Sequence, residues 1–219
     1  MTRRRILFLI LLIVISFSPL WGLDYGVRVY AGISSGVGNQ WANTLKEAGG
    51  RGFNDVLPTL GLGVFTDFSI NSSFYFTPEI GYALSRGMAM SDNHDNYIRT
   101  RALHSLELLL PLSYEYVLDE GNKAVRLSSG FHCLYSFDLN QERSVNDLEQ
   151  SMDLENKSPF SLGLLLGGGL EMRRQKKMSW LLNTTIIVPL SNRISYDLPG
   201  GDEVSYKTME VLVGSGIKF

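Results

Sequence analysis

Residues Phe74–Ser85 read FYFTPEIGYALS. Phe74, Phe76, Pro78, Ile80, Tyr82 and Leu84 fall on one parity, and Tyr75, Thr77, Glu79, Gly81 and Ala83 on the other. Strict period-2 alternation is the mark of a β-strand with two unlike faces. The same pattern recurs on both sides of this stretch. Leu23–Ile33, Leu57–Phe68, Ile98–Leu118, Ala124–Phe137, Phe160–Arg173, Met178–Ser191 and Tyr206–Phe219 each alternate over 8 residues or more. That gives eight predicted strands and no long amphipathic helix.

The connections alternate in length. Long ones span 34–56, 86–97, 138–159 and 192–205; short ones span 69–73, 119–123 and 175–177. This order predicts an antiparallel up-and-down meander with its long loops gathered at one rim. Eight such strands suit either a membrane barrel or a soluble lipocalin-like barrel. Side-chain volume separates the two, because an eight-stranded barrel encloses little more than its own side chains. Phe74, Phe76, Phe131, Tyr135, Phe160, Trp180 and the aliphatic residues of their parity are too many and too large for the inside. The opposite parity is rich in Gly, Ser and Thr with interleaved charges. The apolar face therefore points outward, where only lipid accepts it. The expected fold is all-β, an eight-stranded antiparallel up-and-down transmembrane β-barrel.

Composition agrees. A mean hydropathy of +0.02 excludes a bundle of membrane helices. Aromatic residues at 11% argue against disorder. Met1–Arg5 is basic, Ile6–Ile15 is uninterrupted apolar, and Ser16–Gly22 breaks the run with Pro19. Residues 1–22 thus read as a signal peptide cleaved near Gly22, leaving residues 23–219 as an outer-membrane barrel domain. Arg3, Arg4 and Arg5 leave with it, so the mature chain is mildly acidic and a nucleic-acid partner is not expected. The one cysteine, Cys133, has no disulfide or zinc partner and reads as a small apolar strand residue. A terminal aromatic, Phe219 after Val211, Val213 and Ile217, resembles the signal read by bacterial barrel-assembly machinery.

Read in register, residues 24–219 resemble the PorT-like outer-membrane β-barrel family. Tyr25–Ser34 (YGVRVYAGIS) is similar to its opening strand. Phe74–Gly87 (FYFTPEIGYALSRG) is similar to its third, with Pro78, Glu79 and Tyr82 in matching places. Leu106–Tyr116 (LELLLPLSYEY) resembles the fourth, although Pro111 falls later than usual and Ser113–Tyr114 replaces the customary Lys-Tyr. Ser161–Glu171 and Val213–Phe219 complete the likeness. The resemblance implies fold and location. The family has structural, transport-accessory and unassigned members and no catalytic signature.

The inward set is Arg28, Glu79, Arg99, Arg101, Glu107, Arg126, His132, Glu171, Glu210 and Lys218. Charges in a narrow lumen are costly unless paired, so these predict a cross-strand network that fills the barrel, with a gate as the sharper alternative. His94 between Asp92 and Asp95 reads as a polar loop, and no metal or cofactor is expected. The glycines at 32, 36 and 38 and at 167–169 precede no helix, which disfavours phosphate binding. His104 and Ser105 are adjacent on a strand and point to opposite faces, and Ser144 and Ser151 have no histidine near them, so no enzyme is expected. Val145, Leu148 and Met152 recur at helical spacing and predict a short helix in an acidic third loop. These features suit a monomer in outer-membrane lipid with a structural or surface-interaction role, its loops facing an envelope or host partner. A narrow channel or transporter for small solutes or small apolar molecules is the alternative.

Overall fold

The computed structural model describes residues 24–37, 56–91, 97–118, 122–145, 148–153, 155–174, 178–197 and 203–219. The expected leader, residues 1–22, lies outside them. Eleven strands run in chain order: β1 (Asp24–Val37), β2 (Val56–Ser69), β3 (Phe74–Phe76), β4 (Glu79–Ser91), β5 (Tyr97–Leu118), β6 (Lys123–Val145), β7 (Leu148–Asp153), β8 (Phe160–Arg174), β9 (Met178–Pro189), β10 (Ile194–Asp197) and β11 (Glu203–Lys218). No helix occurs among the described residues.

All pairings are antiparallel. β1 pairs β2, β2 pairs β3 and β4, and both of these pair β5; β5 pairs β6, then β8, β9 and β11 follow. β11 returns to β1, from Gly26 opposite Lys218 to Val37 opposite Lys207, and closes the sheet. The eight predicted segments are the eight staves of this barrel. The third is broken where Pro78, with no N–H, ends the ladder between β3 and β4. The break is bridged by Thr66 N–H donating to the Pro78 carbonyl (3.1 Å) and Thr77 N–H to that of Pro111 (3.0 Å). β7 replaces the short helix expected around Val145–Met152. It folds back on the outer end of β6, from Asn140 opposite Asp153 to Val145 opposite Leu148. The open edge of β6 there offers ladder hydrogen bonds, which outweigh a weak local helical period.

The outer face carries two rows of rings. Tyr25 and Phe219 (5.7 Å), Phe68 and Phe76 (6.3 Å), and Phe74 and Tyr114 (5.2 Å) form one, at the end that holds both strand termini and the short turns. Tyr82 and His104 (5.9 Å), His104 and Phe137 (6.1 Å), Tyr135 and Phe137 (6.4 Å), and Tyr135 and Phe160 (4.6 Å) form the other. Along β5, His104 to Tyr114 is about ten residues, or about 26 Å across the bilayer at ~3.4 Å per residue and ~40° tilt. Leu108 and Leu112 lie exposed between the rows. That spacing matches an outer-membrane apolar band flanked by aromatic girdles.

Trp180 pairs with Ile217 near the terminus-bearing row and is 42% exposed. With Trp41 replaced by phenylalanine in the mature chain, brominated-lipid quenching should place Trp180 about 13 Å from the bilayer centre. Maximal quenching at the centre, or by aqueous acrylamide alone, would contradict this band.

Candidate functional site

The alternation that sends Leu and Phe to lipid sends a second set of side chains into the lumen, where they form three tiers. The first lies near the terminus-bearing end. The Arg126 guanidinium on β6 meets Asp67 (2.8 Å), Glu115 (2.9 Å) and Glu171 (2.9 Å), and lies 4.7 Å from the centre of the Tyr75 ring. Arg173 meets Glu115 (2.5 Å) and Glu171 (3.2 Å). Lys218 completes the knot with Glu171 (2.9 Å) and Asp67 (3.3 Å), and reaches the exposed Asp24 at 3.6 Å. Three cations thus neutralise three buried carboxylates, which is the condition under which charge survives in a narrow lumen.

In the middle tier, Arg28 grips Glu79 through two nitrogens, Nη2 at 2.6 Å and Nε at 3.2 Å. The Tyr30 hydroxyl donates to Glu107 Oε2 at 2.5 Å. His132 Nε2 lies 3.7 Å from the other Glu107 oxygen, outside hydrogen-bond range. Room for these groups comes from glycines on β2. A Cβ on Gly61 would stand 2.0 Å from Tyr30 Cζ, and one on Gly63 would stand 2.1 Å from Glu79 Oε1. Below this tier a cavity of about 90 Å³ is bounded by Arg28, Glu79, Ser113, Arg126, Glu171 and Asn183 among others.

The outer tier is built differently. Ser34 on β1, Thr59 on β2 and Ser85 on β4 form a hydroxyl chain (3.1 and 2.8 Å). Arg193, from the connection after β9, enters among them and donates to Glu210, to Ser34 (3.2 Å) and to Ser85 (3.1 Å).

Arg28, Glu79, Glu107, Arg126, His132, Glu171, Glu210 and Lys218 therefore stand in the lumen, divided among the three tiers. Arg99 and Arg101 lie on β5 toward its outer end, and their side chains are outside the described ones. The loop segment with Asp92, His94 and Asp95 is also outside the described residues. Sequence reading missed Tyr30, Asp67, Glu115, Arg173 and Arg193. The first four sit at inward parity and were within reach of the alternation; Arg193 lies in a connection, where parity has no meaning. Phe219 is on the outer face, its N–H donating to the Tyr25 carbonyl (2.8 Å). His104 faces outward and bonds Tyr82, whereas Ser105 faces inward and bonds Ser136 at 3.1 Å.

A closed antiparallel barrel of eight staves, apolar outside and ion-paired inside, defines an integral protein of the bacterial outer membrane. The chain belongs to the outer membrane protein beta-barrel domain family, whose model matches residues 20–195. Among solved structures it is similar to Neisserial surface protein A, at 8% identity and a TM-score of 0.48, covering 90% of this chain and 96% of that one. It is also similar to OprG of Pseudomonas aeruginosa (16% identity, TM-score 0.48, 90% and 95% covered). A third is Ail of Yersinia pestis (11% identity, TM-score 0.41, 90% and 99% covered). No curated protein matches the sequence.

Replacing Arg126 with methionine leaves three buried carboxylates to two cations, Arg173 and Lys218, and should cost about 3–5 kcal/mol of unfolding free energy. Glu79→Gln keeps a hydrogen-bond acceptor for Arg28 and should cost about 1–3 kcal/mol. Urea titration of the folded gel band in lipid bicelles reads both, and equal midpoints for wild type and Arg126→Met would show that the knot adds no stability. Gly61→Val forces the Tyr30 ring off its seat and should cost about 1–3 kcal/mol in the same assay.

Proposed function

We propose that this is a lumen-closed structural barrel that stabilises the outer membrane and presents its four long connections to an envelope or host partner. The observation that carries this reading is the ion-paired column, whose outer end is filled by Arg193, a residue of the chain's own connection. A lumen spent on internal ion pairs leaves the outer surface as the functional face. In this reading the protein is a non-enzymatic monomer without a cofactor. Residues 1–22 are removed on export, and Phe219 is read by the barrel-assembly machinery during insertion. The Phe74–Gly87 stretch supports assignment to the PorT-like group within the wider family. The cavity of about 90 Å³ favours a second reading, a narrow channel whose ion pairs switch to pass small solutes.

Planar-bilayer recording on the mature chain, with folding verified by a mobility shift on boiling, separates the two. The structural reading expects silent membranes at neutral pH. Steady unitary conductance that scales with salt would replace it with the channel.

A further inference from the structure

Connections at a barrel mouth are ordinarily solvated, and a buried arginine needs a receiver built to hold it. Here Arg193 and the first three residues of β10, Ile194, Ser195 and Tyr196, are 3% exposed or less. The receiver of the Arg193 guanidinium belongs wholly to the barrel wall. Nη1 donates to Glu210 Oε1 and Thr208 Oγ1 (3.4 Å) on β11 and to Ser34 Oγ (3.2 Å) on β1. Nη2 donates to Ser85 Oγ (3.1 Å) on β4. The receiving residues are themselves buried, Ser34 and Ser85 fully, Glu210 and Thr208 at 2% and 3% exposure.

Receiver and guanidinium thus sit on different elements, the wall strands and the residue before β10. The wall residues are fixed by the barrel ladder: Ser34 lies opposite Glu210, and Thr59, which links the two serines, lies opposite Ser85. The arginine directly precedes β10, which is laddered to β11 from Ile194 opposite Tyr206 to Asp197 opposite Glu203 and is also held by residues 156 and 157. Asn156 accepts from Ser195 N–H (3.0 Å) and donates to the Arg193 carbonyl (3.1 Å), and Lys157 N–H donates to the Ser195 carbonyl (2.7 Å). The neighbouring Lys157–Asp197 pair is half exposed and holds little. A carboxylate flanked by three hydroxyl acceptors is the donor-accepting array that a planar guanidinium or an ammonium group requires. Glu210 Oε2 makes no hydrogen bond among the described residues, so the array has acceptor capacity beyond what Arg193 uses.

We propose that the outer end of the lumen is a cation-recognition site for guanidinium and primary ammonium groups. Arg193 fills it as an internal ligand, and an external cation of that chemistry takes its place when the β10–β11 ladder opens and the 193–197 segment lifts. A small organic cation carries the required group. The site stands independently of whether the loops recruit a partner.

The test is chemical rescue on the mature chain in detergent. Arg193→Ala should lower the midpoint at which the folded gel band is lost on heating. Millimolar methylguanidinium or methylammonium should restore about half or more of that loss, while tetramethylammonium at equal ionic strength restores none. The double variant Arg193→Ala with Glu210→Gln should not respond. Absence of selective rescue overturns the site, and Arg193→Gln, which keeps bulk and polarity, serves the same readout if the alanine variant does not fold.

Access from outside is read in an otherwise native chain carrying Cys133→Ser and Ser195→Cys. Methylguanidinium should speed labelling of the new thiol by a water-soluble maleimide several-fold. An unchanged rate overturns the external ligand and leaves Arg193 as a permanent part of the wall.

Discussion

The pairing of β1 with β11 is the constraint on which the rest depends. In hydrocarbon no water satisfies an unpaired N–H or C=O, so a sheet left open along this seam would expose two strand edges at several kcal/mol per group. The seam runs for twelve residue pairs, Gly26–Lys218 to Val37–Lys207. Once it is made, the outer face is free to be apolar, because its only neighbour is lipid. The inner face inherits the opposite problem: eight staves enclose a cylinder too narrow for bulk water and too small for large side chains from every strand.

Two devices meet that problem. One is steric: Tyr30 and Glu79 lie over the neighbouring stave β2 because Gly61 and Gly63 have no side chains to meet them. The other is electrostatic. Among the described residues the lumen holds Arg28, Arg126, Arg173, Arg193 and Lys218 against Asp67, Glu79, Glu107, Glu115, Glu171 and Glu210, with His132 beside Glu107 as a sixth basic group. Near-neutrality lets each charge exchange its hydration for a partner on another strand or, for Glu210, on a connection. Such pairs tie β2, β5, β6, β8 and β11 together from within, in addition to their backbone ladders.

The fold was legible because one rule, period 2, governs every stave, and because volume alone decides which parity faces lipid. The same rule reaches the lumen charges that sit on strands. Asp67 shares the parity of Phe65, and Glu115 that of Ser113, so the same alternation places both inward. It fails where backbone period ceases to report direction. The outer end of β6 shows one such place: Phe137 is extra between the Ser105–Ser136 and His104–Asp138 pairs, so inward parity passes from Ser136 to Leu139. The acidic third loop shows another, since Val145, Leu148 and Met152 keep helical spacing while pairing makes β7. A local period of three residues is weaker than an open sheet edge.

Arg193 is the sharper failure, and its cause is physical. Wall residues are aimed by the pleat, whereas a residue in a connection is aimed by whatever holds the connection, here the β10–β11 ladder and Asn156 and Lys157, nearly forty positions away in sequence. No pattern within residues 190–197 announces that contact. What was visible was its complement: Glu210, on a stave otherwise inward-facing through Thr208, Leu212 and Gly214, is an acid with no basic residue at inward parity on either neighbouring strand beside it. Its partners in register are Ser34 and Ile187. An unmatched buried carboxylate on a strand requires a cation from somewhere, and at the outer end of a barrel the connections are the remaining source. Reading the wall for charges that lack an in-register partner therefore locates the places where a loop, or a ligand, must reach in.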